Sequence, residues 1–366
     1  MKQKNVILFM PSIEGGGVEK NLFIVANFLV KKLGKLSVIT TSKNYRKKFH
    51  NKVNLIAPEL NFWNKSRRRI KYFICLILLF LEFKKNKNII VFCFQANIYC
   101  ILLCKLLGIK ILIRSNSSPS GWSKNLLKRF IYKNVLGLAD KIMVNSLKFK
   151  KQLKSQFNLK AKCIYNPLNI NEIHKLSKKK IKENFFNSKN LKILNIGRFT
   201  DQKDHITLLK AVNFLKNKVK LKLIIIGGGK NKEKIKKYIL ENNLTKIIKI
   251  KNFIKNPFPY IKKADLFILT SLYEGLPNVI LESLALNKFV ISSNCPTGPS
   301  EILDNNKGGL LFKTSDHIDL AKKISFFETN KHKCLKKVKY AKSRLHRFDY
   351  NKNLNIYYNF LKSELT

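Results

Sequence analysis

Two carboxylates, Glu274 and Glu282, bracket the run Glu274-Gly-Leu-Pro-Asn-Val-Ile-Leu-Glu282, shortly after the strongly apolar stretch Leu266-Phe267-Ile268-Leu269. A short apolar run of that kind predicts a buried strand. The carboxyl end of a strand in an open α/β sheet is where ligands bind. Pro277 or Asn278 can open a helix there, and the N–H groups and positive dipole end of a helix favour an anion such as a diphosphate. On that helix Glu282 falls among Val279, Ile280, Leu281 and Leu284 and shares a face with Asn278. A carboxylate in apolar company needs hydrogen-bond partners, and ribose hydroxyls can supply them. The plainer alternative is a solvated helix glutamate.

A second candidate group is cationic. Gly197-Arg198 ends another strand-like run, and Lys203 follows five residues after the arginine. Such a pair can clamp a pyrophosphate, with arginine as a planar fork and lysine as a point charge. In a chain this basic, a solvated surface pair is the ordinary alternative. Two glycine clusters follow strands, Gly15, Gly16 and Gly17 near the start and Gly227, Gly228 and Gly229 later. Neither has the G-x-G-x-x-G spacing of a dinucleotide site, so each reads equally as a tight turn or as a loop that lets backbone approach a ligand.

The elements that must position these residues follow from hydrophobic periodicity. Strands are predicted at 6–10, 36–40, 88–94, 110–113 and 141–145, with a helix between the first two carrying Leu22, Val25, Ala26, Leu29 and Leu33 on one face and stopped by Gly34. After Tyr165-Asn166-Pro167 the pattern lapses into a polar, lysine-rich stretch at 171–190, read as a linker with some helix. Strands resume at 191–196, 220–226, 247–250, 265–270 and 289–292, with a helix at about 204–216. Alternating strands and helices in both halves predict two doubly wound α/β domains with parallel sheets.

Composition narrows the class. The 366 residues suit two domains, and a hydrophobic share of 45% excludes a disordered chain. Lys and Arg number 73 against 21 Asp and Glu, a formal charge of +52, which implies an anionic partner, although A/T-rich codons would also yield lysines. Such a charge draws the chain to acidic phospholipid and, without specificity, to nucleic acid. Seven cysteines without a Cys-x-x-Cys pair indicate neither a disulfide framework nor zinc, and six scattered histidines suggest no metal centre. The expectation is a cytoplasmic protein. The five-residue apolar run at 6–10 is too short for a signal peptide and reads as a first strand. From Lys65 to Lys85 three arginines lead into an apolar stretch too short to span a bilayer. It reads as a buried helix or as one lying in the membrane interface, and the two can hold together in part.

Together these features resemble family 4 of the retaining glycosyltransferases. The markers are Gly15-Gly-Gly-Val-Glu19, Asp140-Lys-Ile-Met-Val-Asn-Ser146, Ile164-Tyr-Asn-Pro167, Gly197-Arg-Phe-Thr-Asp-Gln-Lys203 and, most specific, the region from Asn256 through Glu274 and Glu282 to Cys295-Pro-Thr-Gly-Pro-Ser-Glu301. The resemblance implies a GT-B fold, two Rossmann-like doubly wound domains facing across a cleft: an acceptor domain at 1–170, a nucleotide-sugar domain at 171–345, and a C-terminal helix within 346–366 that returns to the first. It implies that Glu274 meets the donor sugar and Glu282 the ribose, and that Arg198 and Lys203 hold the diphosphate. Gly16 and Gly17 would approach the phosphates, Gly275, Leu276, Pro277 and Asn278 would present backbone groups, and Gly197, Gly228 and Phe253 complete the donor site.

Two positions depart from that pattern. Where relatives carry a histidine near the sugar, this chain reads Arg114-Ser-Asn-Ser-Ser, so Asn116 takes a place in the catalytic set without being able to titrate. Asn252 replaces a glycine, and asparagine tolerates left-handed backbone. The implied reaction moves a hexose or N-acetylhexosamine from an NDP-sugar, by expectation a UDP-sugar, to a lipid-linked or cell-surface glycan of lipopolysaccharide, O-antigen or capsule. It needs no metal or other cofactor, and the partners are donor, acceptor and an anionic membrane surface, with the protein peripheral on the inner face of the cytoplasmic membrane. A sugar-nucleotide epimerase of the same fold is the alternative, weakened by the scarcity of histidine. No nucleic-acid module is recognisable.

Overall fold

A computed structural model of the chain describes residues 4–59, 63, 66–116, 126–187 and 189–365; Lys65 of the basic segment and residues 117–118 lie outside them. Internal contacts divide the chain into two units, Met1–Pro167 with Tyr350–Thr366, and Leu168–Asp349.

The first unit contains β1 (Asn5–Phe9), α1 (Gly17–Leu33), β2 (Leu36–Ile39), β3 (Val53–Ile56), α2 (Arg68–Lys85), β4 (Ile89–Cys93), α3 (Asn97–Leu106), β5 (Lys110–Ser115), α4 (Leu126–Gly137), β6 (Lys141–Val144), α5 (Leu147–Phe157) and β7 (Lys162–Cys163). Its strands pair in parallel in the order β3-β2-β1-β4-β5-β6-β7. Alternate residues of each strand point to opposite faces. Val6, Leu8, Ile90 and Phe92 meet Leu22, Val25 and Leu29 of α1. Ile7, Phe9, Val91 and Ile113 meet Cys75, Cys100, Ile101 and Phe149 from α2, α3 and α5.

The second unit runs α6 (Ile170–Ser177), β8 (Leu191–Ile196), α7 (His205–Leu215), β9 (Leu221–Ile226), α8 (Lys232–Glu241), β10 (Ile248–Lys251), α9 (Phe258–Lys263), β11 (Leu266–Leu269), α10 (Asn278–Ala285), β12 (Phe289–Ser293), α11 (Gly298–Ile302), β13 (Leu310–Phe312), α12 (His317–Thr329) and α13 (Lys331–Ser343). The sheet order is β10-β9-β8-β11-β12-β13, again parallel. The last helix, α14 (Tyr350–Lys362), belongs to the first unit, where Leu354, Tyr357, Phe360 and Leu361 join the core on the α1 face. Both sheets are doubly wound, as periodicity predicts.

Three short strands escape the periodicity argument. β3, β7 and β13 are two to four residues long and are defined by their pairing with β2, β6 and β12. The polar stretch after Pro167 is more than a linker. It contains α6, and Glu183 within it has a fully buried side chain, 3.0 Å from Lys249 Nζ and 2.7 Å from Lys251 Nζ. Burial alone would raise the Glu183 pKa, but the two lysines and the Phe185 N–H together hold it below the ordinary value. Helix α2 is buried on one face only. Lys71, Cys75 and Leu79 face the sheet at helical spacing, while Ile70, Phe73, Ile77, Phe80 and Leu81 are exposed on the opposite side. Among the described residues no helix is long and apolar enough to cross a membrane.

Candidate functional site

In the second sheet the connection direction reverses between β8 and β11, which lie side by side. That reversal opens a crevice at the carboxyl ends of the two strands. After β8 the chain passes Gly197 and Arg198 and makes a single turn, Asp201–Lys203, before α7, whose first turn is capped by Asp204 accepting from the Thr207 N–H at 3.4 Å. After β11 it enters the Glu274 loop. The two meet directly: Lys203 Nζ lies 2.5 Å from Glu274 Oε1, and Ser271 Oγ donates to the same oxygen at 2.7 Å.

The backbone around this pair is tied from three sides. Thr270 Oγ1 donates to the Lys203 carbonyl at 2.8 Å, the Leu272 N–H to the Gln202 carbonyl at 2.8 Å, and Gln202 Nε2 to the Tyr273 carbonyl at 2.9 Å. From the β12–α11 connection, the Pro296 carbonyl accepts the Glu274 N–H at 2.6 Å and the Thr297 N–H donates to the Glu274 carbonyl at 2.9 Å. Gly298 permits this approach, since a Cβ there would stand 2.1 Å from the Gly275 carbonyl oxygen. Composition and spacing had singled out neither Ser271 nor Gln202. The stretch Cys295 to Glu301 was visible as a motif, but its task as a strap on the Glu274 loop needs the three-dimensional pairing.

The three glycines after β9 have different tasks. A Cβ on Gly227 would fall 1.9 Å from the Gly197 carbonyl oxygen, and one on Gly229, at φ 143°, 2.6 Å from that of Phe199. These two let the β8 and β9 loops interlock. A Cβ on Gly228 meets nothing within 4 Å, and its carbonyl accepts the Phe199 N–H at 2.7 Å. Only Gly228 opens onto space.

Gly275, Leu276 and Pro277 are buried, and Pro277 caps α10, which begins at Asn278. Glu282 is 5% exposed, so the solvated helix glutamate is set aside. Arg198 is exposed, and so is Phe253, at 65%, after β10. Asn252 is not among the residues with positive φ; its side-chain oxygen accepts from Lys232 Nζ at 2.7 Å, so left-handed tolerance is not what the position needs. Beside the pair, His205 is buried with its ring edge on Phe199, centroids 5.1 Å apart. Burial and then the Lys203 charge lower its pKa to about 4, leaving a neutral imidazole at pH 7. Burial, helped by the Glu274 carboxylate, pushes the Cys295 thiol up to about 12. Among the described residues no three His, Cys, Asp or Glu side chains gather as a metal ion would require.

The remaining candidates lie in the first unit. Gly15, at φ 83°, turns the chain after β1, Gly16 caps α1 and Gly17 begins it. Asn116 follows β5; its Nδ2 donates to the Phe94 carbonyl at 2.8 Å, and its Oδ1 is buried without a partner among the described residues. Next to it, Arg114 is fully buried, donates to Asn166 Oδ1 at 2.7 Å and stacks its guanidinium 5.6 Å from the Phe94 ring centre. The Ile164-Tyr-Asn-Pro167 marker therefore braces the end of β5.

Residues 177–344 match the family described as Glycosyl transferases group 1. The amylovoran biosynthesis glycosyltransferase AmsD of Erwinia amylovora is 31% identical over 268 residues, 70% of each chain. The chain belongs to the group 1 glycosyl transferases. Another relative, the N-acetylgalactosamine-N,N'-diacetylbacillosaminyl-diphospho-undecaprenol 4-alpha-N-acetylgalactosaminyltransferase of Campylobacter jejuni, is 28% identical over 332 residues, 84% of this chain and 86% of that one. The GT-B fold extends over the whole chain: the Anabaena protein HepE, solved in complex with UDP-glucose, superposes with a TM-score of 0.79 at 15% identity, covering 98% of this chain and all of that one. This glycosyltransferase is thus an enzyme of the class its motifs resemble, and the epimerase alternative falls away.

Proposed function

We propose that this glycosyltransferase moves a hexose or N-acetylhexosamine from a UDP-sugar to a lipid-linked or cell-surface glycan in the cytoplasm, retaining anomeric configuration. The observation that carries the reading is the Lys203–Glu274 contact at the β8/β11 switch point, where Ser271 also donates to the carboxylate. Both donors converge on Oε1, so Oε2 faces the task of accepting a sugar hydroxyl. Glu282 takes the ribose hydroxyls, and the Phe253 ring offers a stacking surface to the base. HepE was solved with UDP-glucose, and the Campylobacter relative bears an undecaprenol-linked acceptor in its name. Those two facts favour UDP and a lipid-linked glycan.

The chemical step breaks the C1–O bond to the nucleoside diphosphate through an oxocarbenium-like state while negative charge grows on the leaving phosphate. Stabilising that charge is the main task. Arg198, the Lys203 ammonium and the N-terminus of α10 supply positive potential, and Gly228 admits phosphate close to backbone. Lys203 is held in place by Glu274 before substrate arrives, so little reorganisation is left for the reaction itself. Asn116 is assigned to the transferred sugar and the Gly16–Gly17 turn to the phosphates. In this reading no metal or other cofactor takes part, and no obligatory carboxylate pair is required.

The test is a panel of nucleotide-sugars screened for protection against thermal unfolding, followed by turnover with the strongest binder. A UDP-sugar that raises the midpoint and is consumed supports the reading. Equal protection by no nucleotide-sugar in the panel refutes it.

A further inference from the structure

Lys232 and Asn252 follow the neighbouring strands β9 and β10, Lys232 as the first residue of α8 and Asn252 directly after β10. Lys232 Nζ donates to Asn252 Oδ1 at 2.7 Å. An ammonium has donors and no acceptor, so it fixes the amide one way round: the oxygen faces Lys232, and the Nδ2 group with its N–H donors is turned away from it. Without that cation the amide is free to flip and to offer oxygen or nitrogen alike.

Backbone contacts hold both partners in place. The Lys251 carbonyl accepts the Gly227 N–H at 3.0 Å, which joins the end of β10 to the glycine loop. Further along that loop the Asn231 N–H donates to the Phe199 carbonyl at 3.0 Å, Asn231 Nδ2 donates to Asp201 Oδ1 at 2.8 Å, and Lys230 Nζ pairs with Asp201 Oδ2 at 2.5 Å. The chain just before Lys232 is thus tied to the turn after β8. Phe253, the ring assigned to the base, is next to Asn252 in sequence, and both are exposed. An amide of fixed orientation therefore adjoins the stacking ring. Bases differ at the edge that such an amide meets: uracil and guanine present a carbonyl oxygen where cytosine and adenine present an amino group.

We propose that Asn252, held by Lys232, selects the base of the donor: its Nδ2 donates to the edge carbonyl of uracil or guanine and opposes the amino group of cytosine or adenine, donor against donor. Asn252 is the specificity-determining residue, and Lys232 is a positioning residue that acts through it. The inference rests on the nucleotide reading of this site and deepens it, because neither a stacking ring nor a diphosphate clamp tells one base from another. The glycine that Asn252 replaces has no side chain for the task.

UDP and CDP share ring size, ribose and diphosphate and differ at this edge, so the two together isolate the contact. The experiment is calorimetric titration of the full chain with UDP, CDP, GDP and ADP. The parent is expected to bind UDP about tenfold or more tightly than CDP, the scale of one hydrogen bond made against one opposed. Asn252→Asp, which only accepts, should weaken UDP and strengthen CDP, moving their ratio about tenfold or more toward CDP. Asn252→Gly should bring the ratio close to one, and both Asn252 variants should keep the parent's unfolding midpoint, since the position is exposed. Lys232→Met should lower the ratio severalfold, and Lys232→Arg, again a donor without an acceptor, should restore it. A lysine that served only the phosphates would weaken UDP and CDP alike and leave the ratio unchanged. A parent that binds CDP or ADP as tightly as the better of UDP and GDP, an Asn252→Gly protein that keeps the parent's ratio, or a Lys232→Met protein that does so overturns the proposal and leaves the donor reading standing. Binding of none of the four removes the donor reading and this inference together. A preference for GDP over UDP supports the Asn252 contact and moves the donor from a uridine to a guanosine diphosphate sugar.

Discussion

Lys203 and Glu274, 71 residues apart in sequence, share a single oxygen contact of 2.5 Å across the β8/β11 switch point. Both side chains are largely buried, at 15% and 10% exposure. A buried ion pair is weak evidence of net stabilisation, but removing one partner leaves the other charge uncompensated.

Glu274→Ala is accordingly expected to cost about 3 kcal/mol of stability and to abolish turnover. Glu274→Gln can still accept from Ser271 and is expected to fold near normally while losing about a hundredfold or more in kcat. Paired with Lys203→Met, Glu274→Leu should recover most of the stability and none of the activity. Chemical denaturation and donor turnover on the same preparations check this. Full activity in Glu274→Gln would remove the carboxylate from the mechanism.

The glycines after β9 offer a sharper contrast. Gly227→Ala places a methyl 1.9 Å from a backbone oxygen that cannot step aside, so the variant should lose several kcal/mol or fail to fold. Gly228→Ala meets nothing and should keep its melting temperature. If phosphate approaches Gly228, nucleotide affinity falls while the fold stands. Calorimetric titration with UDP reads the difference.

Arg198 is exposed, so Arg198→Ala should leave the fold intact and weaken nucleotide binding about tenfold or more, the scale of one charge-assisted hydrogen bond. Arg198→Lys should recover part of it, because charge returns without the planar fork. Turnover is expected to survive EDTA.

His205 predicts a pH effect with a definite sign. Its pKa is about 4 when folded and 6.5 unfolded, so between those values the unfolded chain binds more protons and stability falls as pH falls. By pH 5 the loss from this residue is about 2 kcal/mol. His205→Asn should flatten the melting temperature between pH 7 and 5. Glu183 acts lower: its folded pKa is depressed, so its contribution is present above the unfolded value and is lost as pH falls through the folded one.

Much of this architecture was legible from periodicity because the long strands are predominantly apolar. Residues 191–196 were predicted as a strand and form β8, and the expected helix start at Pro277 or Asn278 is the observed one. Hydrophobic pattern is a local signal, and it reached its limit at β3, β7 and β13, whose strand character comes from neighbours rather than from their own few residues. The candidate site divides the same way. Glu274, Lys203 and the glycine loops stood out by residue type and position. That Lys203 pairs with Glu274, that Gly227 and Gly228 differ in kind, and that Pro296 and Thr297 grip the Glu274 backbone depend on contacts between distant segments.

The placement of α14 bears on how the chain is made. Its residues Leu354, Tyr357, Phe360 and Leu361 fill the first unit's core, yet they leave the ribosome after the whole of the second unit. During synthesis the first sheet waits with one apolar face part-covered by α1, while Leu168–Asp349 can fold as a finished body. At Leu168, whose N–H bonds the Phe348 carbonyl at 2.9 Å, outgoing and returning chain are pinned together. The first unit's core is therefore complete only once the second unit has been synthesised.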